Sequence, residues 1–191
     1  MSEVSLASPD ILARARKIKL FLMDVDGTIT DGGICLISAT AANEPGAESV
    51  HEMKVFNAQD GQALSLAHTM GIKTGFITGR RSPAVAKRAA ELKVTFLYLG
   101  QATKMQAFEE CLEKAGVTAE EVAYMGDDLP DIPVARRAGL GVCVSDGAPE
   151  LKAVCHYTTR RSAGHGTVRE IVELILKAQG RWDEAVPKAL A

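Results

Sequence analysis

Short apolar runs alternate along the chain with longer segments in which apolar residues recur at helical spacing. Each run is of strand length, and turn or capping residues separate it from the next segment. This β-α-β-α alternation predicts a parallel sheet with helices on both faces, the doubly wound α/β architecture. The predicted strands cover residues 19–25, 72–78, 94–100, 122–126 and 141–145.

Capping residues and glycines mark where the predicted helices begin and end. A Ser-Pro pair opens two of them, which is the usual order of an N-cap followed by a first-turn proline. A glycine ends two others. The predicted helices run from Ser8-Pro9 to about Ile18, from Asp60-Gly61 to Gly71, from Ser82-Pro83 onward, and from Thr103 to Gly116.

Length and net charge limit the number of domains and the kinds of partner that we expect. The 191 residues predict a single domain, 1–191, with a substantial core. Lys and Arg number 22 against 24 for Asp and Glu, a net charge of -2 that argues against a nucleic-acid partner. No apolar run approaches the roughly 20 residues that cross a bilayer, and the N-terminus lacks the order of a secretory signal. We therefore expect a cytoplasmic protein that does not bind membranes.

The cysteines do not indicate a metal or redox framework. They show no CxxC spacing and lie within or beside apolar segments, which is typical of buried free thiols. We expect neither a zinc site nor a disulfide among Cys35, Cys111, Cys143 and Cys155.

Polar residues gather where the predicted strands end. In open parallel sheets, ligands bind beyond the carboxyl ends of the strands, so chemistry is expected at that edge. Acids, a hydroxyl and a lysine meet there if the strands are neighbours. The residues at these ends are Asp24, Asp26, Thr78, Arg80, Lys104, Asp127 and Asp128.

Carboxylates brought this close repel one another unless a cation lies among them, and Mg²⁺ prefers carboxylates, a carbonyl and several waters. Next to such a metal, Asp24 can attack a phosphoryl group and form an aspartyl-phosphate. Asp26, two residues on, is placed to act as general acid and then as base. Thr78 and Lys104 offer a hydroxyl and a positive charge to the phosphoryl oxygens.

Each of these residues also has a plain structural interpretation. The DxDG segment is typical of a turn, and Thr78 of the turn that follows a strand. Lys104 could be an exposed helix lysine, and Asp127-Asp128 a helix N-cap. The order of acid pair, threonine, lysine and acid pair is what favours a phosphoryl-transfer site.

Four segments, DVDGT, ITGR, the Lys104 segment and GDDLPD, resemble the ordered motifs of the haloacid dehalogenase superfamily of phosphatases over residues 20–131. Beyond them, the chain resembles the capless subgroup that contains the 3-deoxy-D-manno-octulosonate 8-phosphate phosphatases. The segments that carry this resemblance are VDGTITDGGI, MKVFNAQDG, GFITGRRSPAVAKRA, LYLGQATK, VAYMGDDLPDIPV and GHGTVREIVELILKAQG.

The resemblance implies a role for each matching residue. Asp24 and Asp127, with the backbone carbonyl of Asp26, would hold Mg²⁺; Asp24 would be the nucleophile and Asp26 the acid and base. Asp128 would support the metal site. The positions matching substrate-binding residues are Asn57, Ala58, Gln59, Asp60, Gly61, Arg80, Arg88 and Lys104, in addition to the phosphate contacts of Asp26 and Thr78.

The resemblance also implies an assembly. Such phosphatases are usually homotetramers in which a hairpin, here about residues 33–57, replaces the cap domain. A C-terminal tail, here about residues 162–191, can cover a neighbour's site. About twenty residues are enough for a hairpin but not for an independently stable domain.

Some positions depart from the pattern of the octulosonate enzymes. Gln59 and Ser65 stand where that family tends to have arginine, so recognition of a sugar-acid carboxylate would be weaker or differently arranged. The hairpin is long, with SATAANEPGAES as either a loop tip or a modified lid. His165 is either a solvated loop histidine or a substrate contact.

The sequence therefore predicts a Mg²⁺-dependent phosphatase of a sugar-acid phosphate, with 3-deoxy-D-manno-octulosonate 8-phosphate as the leading substrate, which places it in lipopolysaccharide biosynthesis. A nonulosonate 9-phosphate phosphatase or a broad sugar phosphatase would use the same catalytic centre. A non-catalytic oligomerisation or regulatory module is the alternative of a different class. The presence of a nucleophile next to an acid argues against such a module, because a domain that only binds needs neither.

Overall fold

The computed structural model describes residues 7–40 and 48–188. Helices and strands alternate along most of this length. The strands are β1 Leu20–Met23, β2 Cys35–Thr40, β3 Glu48–Met53, β4 Lys73–Ile77, β5 Phe96–Tyr98, β6 Val122–Gly126, β7 Leu140–Cys143 and β8 Tyr157–Thr158. The helices are α1 Pro9–Ala15, α2 Ala58–Thr69, α3 Pro83–Glu91, α4 Lys104–Ala115, α5 Ile132–Arg137, α6 Pro149–Lys152, α7 Thr167–Ala178 and α8 Trp182–Lys188.

Six strands form one parallel sheet in the order β5-β4-β1-β6-β7-β8. Alternate residues of β1 point to opposite faces, because successive side chains of a strand do so. Phe21 and Met23 belong to the core cluster that includes residues of α1, α2 and α7, whereas Leu20 and Leu22 belong to the cluster that includes residues of α4 and α5. All four are fully buried. The predicted doubly wound α/β fold is confirmed.

The hairpin is a separate two-stranded antiparallel sheet, β2 with β3, in which Cys35 pairs with Met53 and Ser38 with Val50. It stands where the sequence predicts a flap in place of a cap domain. Most of the long insertion, residues 41–47, lies outside the described residues, so neither interpretation of that loop is tested.

The segment from residue 162, which the sequence assigns to a C-terminal tail, contains two helices of the chain's own core. Helix α7 packs on α1 and α2, and Val168, Ile171 and Ile175 are fully buried there. Helix α8 packs on α2 and α7. Residues 162–188 are therefore part of the fold of this chain, and only residues 189–191 lie beyond the described region.

Element boundaries differ from the predictions by a few residues. Helix α1 ends at Ala15 rather than near Ile18, and α2 begins at Ala58 because the Asn57 side chain, not Asp60, caps it. The cysteines are free, but only Cys111 and Cys143 are buried; Cys35, on the hairpin, and Cys155 are partly exposed. Among the described helices, none has the length and apolar character that a bilayer crossing requires.

Candidate active site

The centre of the sheet brings the predicted catalytic residues together. Asp24 follows β1, Thr78 follows β4 and Asp127 follows β6, and β1 lies between the other two strands. They share a cleft of about 340 Å³. A larger cavity of about 650 Å³, near Lys19 and Glu121, lies at the amino ends of the strands and contains none of them. The side chains that line the cleft include Asp24, Asp26, Thr78, Arg80, Lys104, Asp127, Asp128 and Asp131.

One buried lysine holds two of the acids. Lys104 is the first residue of α4, and only 6% of it is exposed. Its ammonium nitrogen lies 2.6 Å from Oδ1 of Asp24 and 2.6 Å from Oδ1 of Asp131. The interpretation of Lys104 as an exposed helix lysine is therefore wrong. Lys104 lies in α4, which follows β5, and its side chain reaches past β4 to the end of β1.

Asp131 is a residue of the site that the sequence analysis left without a role. Its Oδ1 accepts the Tyr124 hydroxyl at 2.5 Å, besides Lys104. Its Oδ2 accepts the backbone amides of Asp127 at 3.1 Å and Asp128 at 3.2 Å. Oδ2 thus fixes the loop that carries Asp127, and Oδ1 holds Lys104. The signal was present as the last acid of GDDLPD, four residues after Asp127.

Asp128 is exposed at the cleft rim and forms a capping box with Asp131: its backbone amide donates to the Asp131 carboxylate, and its own side chain accepts the backbone amide of Asp131. Its support of the metal site stays a prediction. Support of Asp127 comes from Asp131 and from Thr28, whose hydroxyl donates to Oδ1 of Asp127 at 3.0 Å.

Gly27 explains why a glycine follows the two acids of DVDG. Its φ is +81°, a conformation that costs little only for glycine. A Cβ at this position would collide with the carboxylate of Asp127. The glycine therefore permits the close approach of the β1 and β6 loops that forms the acidic cluster.

Burial and mutual repulsion raise the pKa values of two of the acids. Burial, with added repulsion from Asp131 and Asp127, raises the pKa of Asp24 to about 7 even though Lys104 opposes the shift. Burial and Asp131 likewise raise the pKa of Asp127 to about 6. Although burial disfavours its charge, the carboxylates of Asp24 and Asp131 raise the pKa of Lys104. One lysine does not neutralise three acids.

The acidic cluster fits a divalent cation. One oxygen each of Asp24, Asp127 and Asp131 lie within 4.8 Å of one another. Burial is the main cause of the raised pKa values of Asp24 and Asp127, and repulsion among the acids adds to it. Mg²⁺, with its preference for oxygen ligands, would favour the ionised form of these carboxylates. Because hydrogen bonds already occupy both oxygens of Asp131, Asp24 and Asp127 are the better side-chain ligands.

Asp26, Thr78 and Arg80 also face the cleft. Asp26 is partly buried, and Nε of Arg80 lies 3.8 Å from its Oδ2. Thr78 is 2% exposed, and its hydroxyl accepts the backbone amide of Arg80 at 3.3 Å, which keeps a donor hydrogen available for a phosphoryl oxygen. The Arg80 side chain is half-exposed, so a substrate group entering the cleft can meet it.

The predicted loop from Asn57 to Gly61 does not line this cleft. It forms the N-cap and first turn of α2, where Ala58 and Gln59 are exposed. Asp60 is buried, and its oxygens accept the backbone amides of Gly166 at 3.2 Å and Arg169 at 2.9 Å. Asp60 therefore stabilises the start of α7 rather than contacting the cleft.

Arg88 lies beside this first turn, in a small pocket with Phe56, Asn57 and Gly61. Its guanidinium is 5.8 Å from the centre of the Phe56 ring, and a Cβ on Gly61 would lie 2.6 Å from it. Gln59 accepts a hydrogen bond of 2.9 Å from Arg161. Roles of Asn57, Ala58, Gln59, Gly61 and Arg88 in substrate binding stay predictions.

Ser65 and His165 lie away from the cleft. The Ser65 hydroxyl donates to the carbonyl of Gly61 at 3.3 Å, a bond within α2. His165 is exposed, and its Nδ1 lies 2.7 Å from the carbonyl oxygen of Ala163. Neither lines the cleft.

Comparison with known proteins supports this geometry. A family model described as haloacid dehalogenase-like hydrolase matches residues 94–171. The 3-deoxy-D-manno-octulosonate 8-phosphate phosphatase of Escherichia coli K12 is 42% identical over 178 residues, 93% of this chain and 89% of the relative.

Solved structures of similar proteins have the same fold as this chain. A Moraxella catarrhalis 3-deoxy-D-manno-octulosonate 8-phosphate phosphatase, in complex with magnesium, phosphate and KDO, superposes with a TM-score of 0.84 at 40% identity over 94% of this chain and 97% of that one. The cobalt-bound Haemophilus influenzae deoxy-D-mannose-octulosonate 8-phosphate phosphatase gives 0.77 at 31% identity over 87% and 92%.

Proposed function

This chain belongs to the 3-deoxy-D-manno-octulosonate 8-phosphate phosphatase family of haloacid dehalogenase-like hydrolases, and from that premise we propose how its cleft acts. It is a phosphoric monoester hydrolase that uses Mg²⁺. The substrate is 3-deoxy-D-manno-octulosonate 8-phosphate, and the products are the free sugar acid and phosphate. The observation that carries the proposal is the buried cluster of Asp24, Lys104, Asp127 and Asp131 beside Asp26.

Asp24 is the nucleophile. One of its oxygens, Oδ1, lies 2.6 Å from Lys104, so the carboxylate has a fixed orientation. Bound Mg²⁺ would neutralise the acids and the phosphoryl oxygens. The free electron pair of Asp24 attacks phosphorus, and Lys104 and Thr78 stabilise the charge that spreads over the equatorial oxygens.

Asp26 transfers the protons. It gives a proton to the leaving sugar oxygen as the phosphorus–oxygen bond breaks, which leaves an aspartyl-phosphate on Asp24. It then takes a proton from a water molecule, whose oxygen attacks that phosphorus and releases phosphate. Such acid-base steps contribute about 10²- to 10⁴-fold to the rate.

A panel of sugar phosphates tests this function. We expect Mg²⁺-dependent phosphate release, with the highest kcat/KM for 3-deoxy-D-manno-octulosonate 8-phosphate, and complete loss of release in Asp24→Asn. A preference for a nonulosonate 9-phosphate, or equal rates for all sugars, would assign the cleft to one of the related phosphatases. Phosphate release from no member of the panel would instead favour a non-catalytic module.

For the assembly, we infer a homotetramer held together by the hairpins. Both faces of the hairpin carry exposed apolar side chains, which a soluble monomer seldom displays in one patch. A second copy of the same hairpin would cover these apolar side chains. The location in the cytoplasm and the place in lipopolysaccharide biosynthesis stay predictions. The exposed apolar residues of the hairpin and its flanks are Ile34, Leu36, Ile37, Val50, Met53 and Val55.

A further inference from the structure

The hairpin sends a buried cation into the catalytic cleft. Lys54 follows directly after β3, and only 1% of its side chain is exposed. Its ammonium group donates a hydrogen bond to Oδ1 of Asp26. Burying a lysine costs several kcal/mol unless an opposite charge compensates, so the contact with Asp26 determines where this side chain lies.

A second hairpin residue braces that lysine. Glu52 lies two positions earlier on β3, on the same face of the strand, and its Oε1 is 3.5 Å from Nζ of Lys54. The same oxygen is 3.2 Å from the guanidinium of Arg80, and the Ser82 hydroxyl donates to Oε2. Glu52 therefore joins the hairpin to the loop after β4, which lines the cleft.

The two oxygens of Asp26 have unequal surroundings. Oδ1 accepts the hydrogen bond from Lys54. Oδ2 is buried and has no hydrogen-bond partner among the described residues, since Nε of Arg80, at 3.8 Å, is too far for one. A buried oxygen without a partner is costly and calls for an explanation, of which a catalytic role is one.

We propose that Lys54 is a positioning residue for the acid-base step, an inference that rests on the proposed function. It fixes Oδ1 of Asp26, so Oδ2 is the atom that exchanges protons. The proton on Oδ2 passes to the leaving sugar oxygen as the phosphorus–oxygen bond breaks. The same oxygen then takes a proton from the attacking water as phosphate leaves Asp24.

This arrangement has a physical reason. The terminal torsion of an aspartate is broad, so a carboxylate without anchors samples many orientations. A misplacement of about 1 Å can cost about 10²-fold in rate. By anchoring one oxygen, Lys54 keeps the other aligned. The hairpin is thus part of the catalytic centre and not only a wall of the substrate pocket.

The test compares leaving groups in the first turnover. Loss of the sugar alkoxide needs a proton from Asp26, whereas p-nitrophenolate leaves without one. For Lys54→Met, we expect the first-turnover rate on the sugar phosphate to fall about 10- to 100-fold. We expect the nitrophenolate burst to fall less than about 3-fold, with KM for the sugar phosphate nearly unchanged. Lys54→Arg keeps the cation and should restore much of the rate.

Two comparisons separate positioning from loss of structure. Lys87→Met, on the exposed side of α3, is the matched control and should keep both rates. In an Asp26→Asn background, Lys54→Met should produce little further loss, because its effect passes through Asp26. Equal losses on both substrates, or full additivity in the double variant, would overturn the inference. A wild-type protein that hydrolyses neither substrate would overturn the proposed function itself.

Discussion

Lys104 and Asp24 form a buried ion pair in which Nζ lies 2.6 Å from Oδ1. The same nitrogen serves Asp131 at the same distance. With Asp127 also in the cluster, three acids share one lysine, and burial together with repulsion among the acids raises the pKa values of Asp24 and Asp127. A bound divalent cation would add the positive charge that favours the ionised form of these carboxylates.

The metal-free protein should lose stability as pH rises. The pKa of Asp24 is raised from 3.8 to about 7, so between these values the unfolded chain releases a proton that the folded chain keeps. The contribution to the free energy of unfolding is full below about pH 4 and falls toward about pH 7, by on the order of 1 kcal/mol per pH unit. Urea unfolding in EDTA at several pH values measures it.

Asp24→Asn is the matched control for that experiment, because it removes the titrating group but keeps the shape. Its stability relative to wild type should rise between about pH 5 and about pH 7 in EDTA. Mg²⁺ should stabilise the wild type increasingly over the same range, since binding requires ionised carboxylates. A stability difference independent of pH would contradict the raised pKa.

Lys104→Met should damage both activity and stability. Removing one partner of a buried ion pair leaves the other charges uncompensated, at a cost of about 3–5 kcal/mol. We expect phosphate release to fall at least about 100-fold. Thermal unfolding and steady-state kinetics measure the two effects. Lys114→Met, which loses an exposed pair with Glu110, should change the stability far less, because solvent screens that pair.

Asp131→Asn should weaken Mg²⁺ binding without removing a ligand. Asp131 orients the Asp127 loop through two backbone amides and anchors Lys104, so its charge acts through those groups. The loss of residues that orient metal ligands typically costs about 10- to 100-fold in affinity. Titration of activity with Mg²⁺ measures this shift. Tyr124→Phe removes one neutral donor and should have a much smaller effect, so equal shifts would reject the assignment.

The sequence predicted the parts of this molecule that depend on local order. The buried run before Asp24, the Ser82 and Thr103 positions at helix starts, and the acids after two strands were all readable from spacing and turn chemistry. The adjacency of the strands was only assumed, and the order β5-β4-β1-β6 confirms it. These features bring Asp24, Thr78, Lys104 and Asp127 to one cleft, as predicted.

What the sequence could not show was set by contacts between distant residues. The oxygens of Asp60 bond to amides about a hundred positions away at the start of α7, a contact that no local pattern indicates, and its role in substrate binding stays a prediction. Lys54 lies in the MKVFNAQDG segment, but its contact with Asp26 depends on how the hairpin folds back, which the local sequence does not show. Helix α7, within the segment after residue 162, is buried in the core against α1 and α2, which lie far from it in the sequence.

A charge on the hairpin should break the assembly. Val50 is 63% exposed on the hairpin, where we place the contact between copies, and Val50→Glu would bury a carboxylate there at a cost of several kcal/mol. We expect the wild type to have about four times the 20.3 kDa mass of one chain and the variant to dissociate. Light scattering after size-exclusion chromatography measures this mass.

The kcat/KM of the Val50→Glu variant should fall with dissociation, because the same hairpin carries Lys54. Val186→Glu, an equivalent change on exposed α8, should leave the mass unchanged; an intact tetramer in Val50→Glu would show that the hairpins do not hold the copies together.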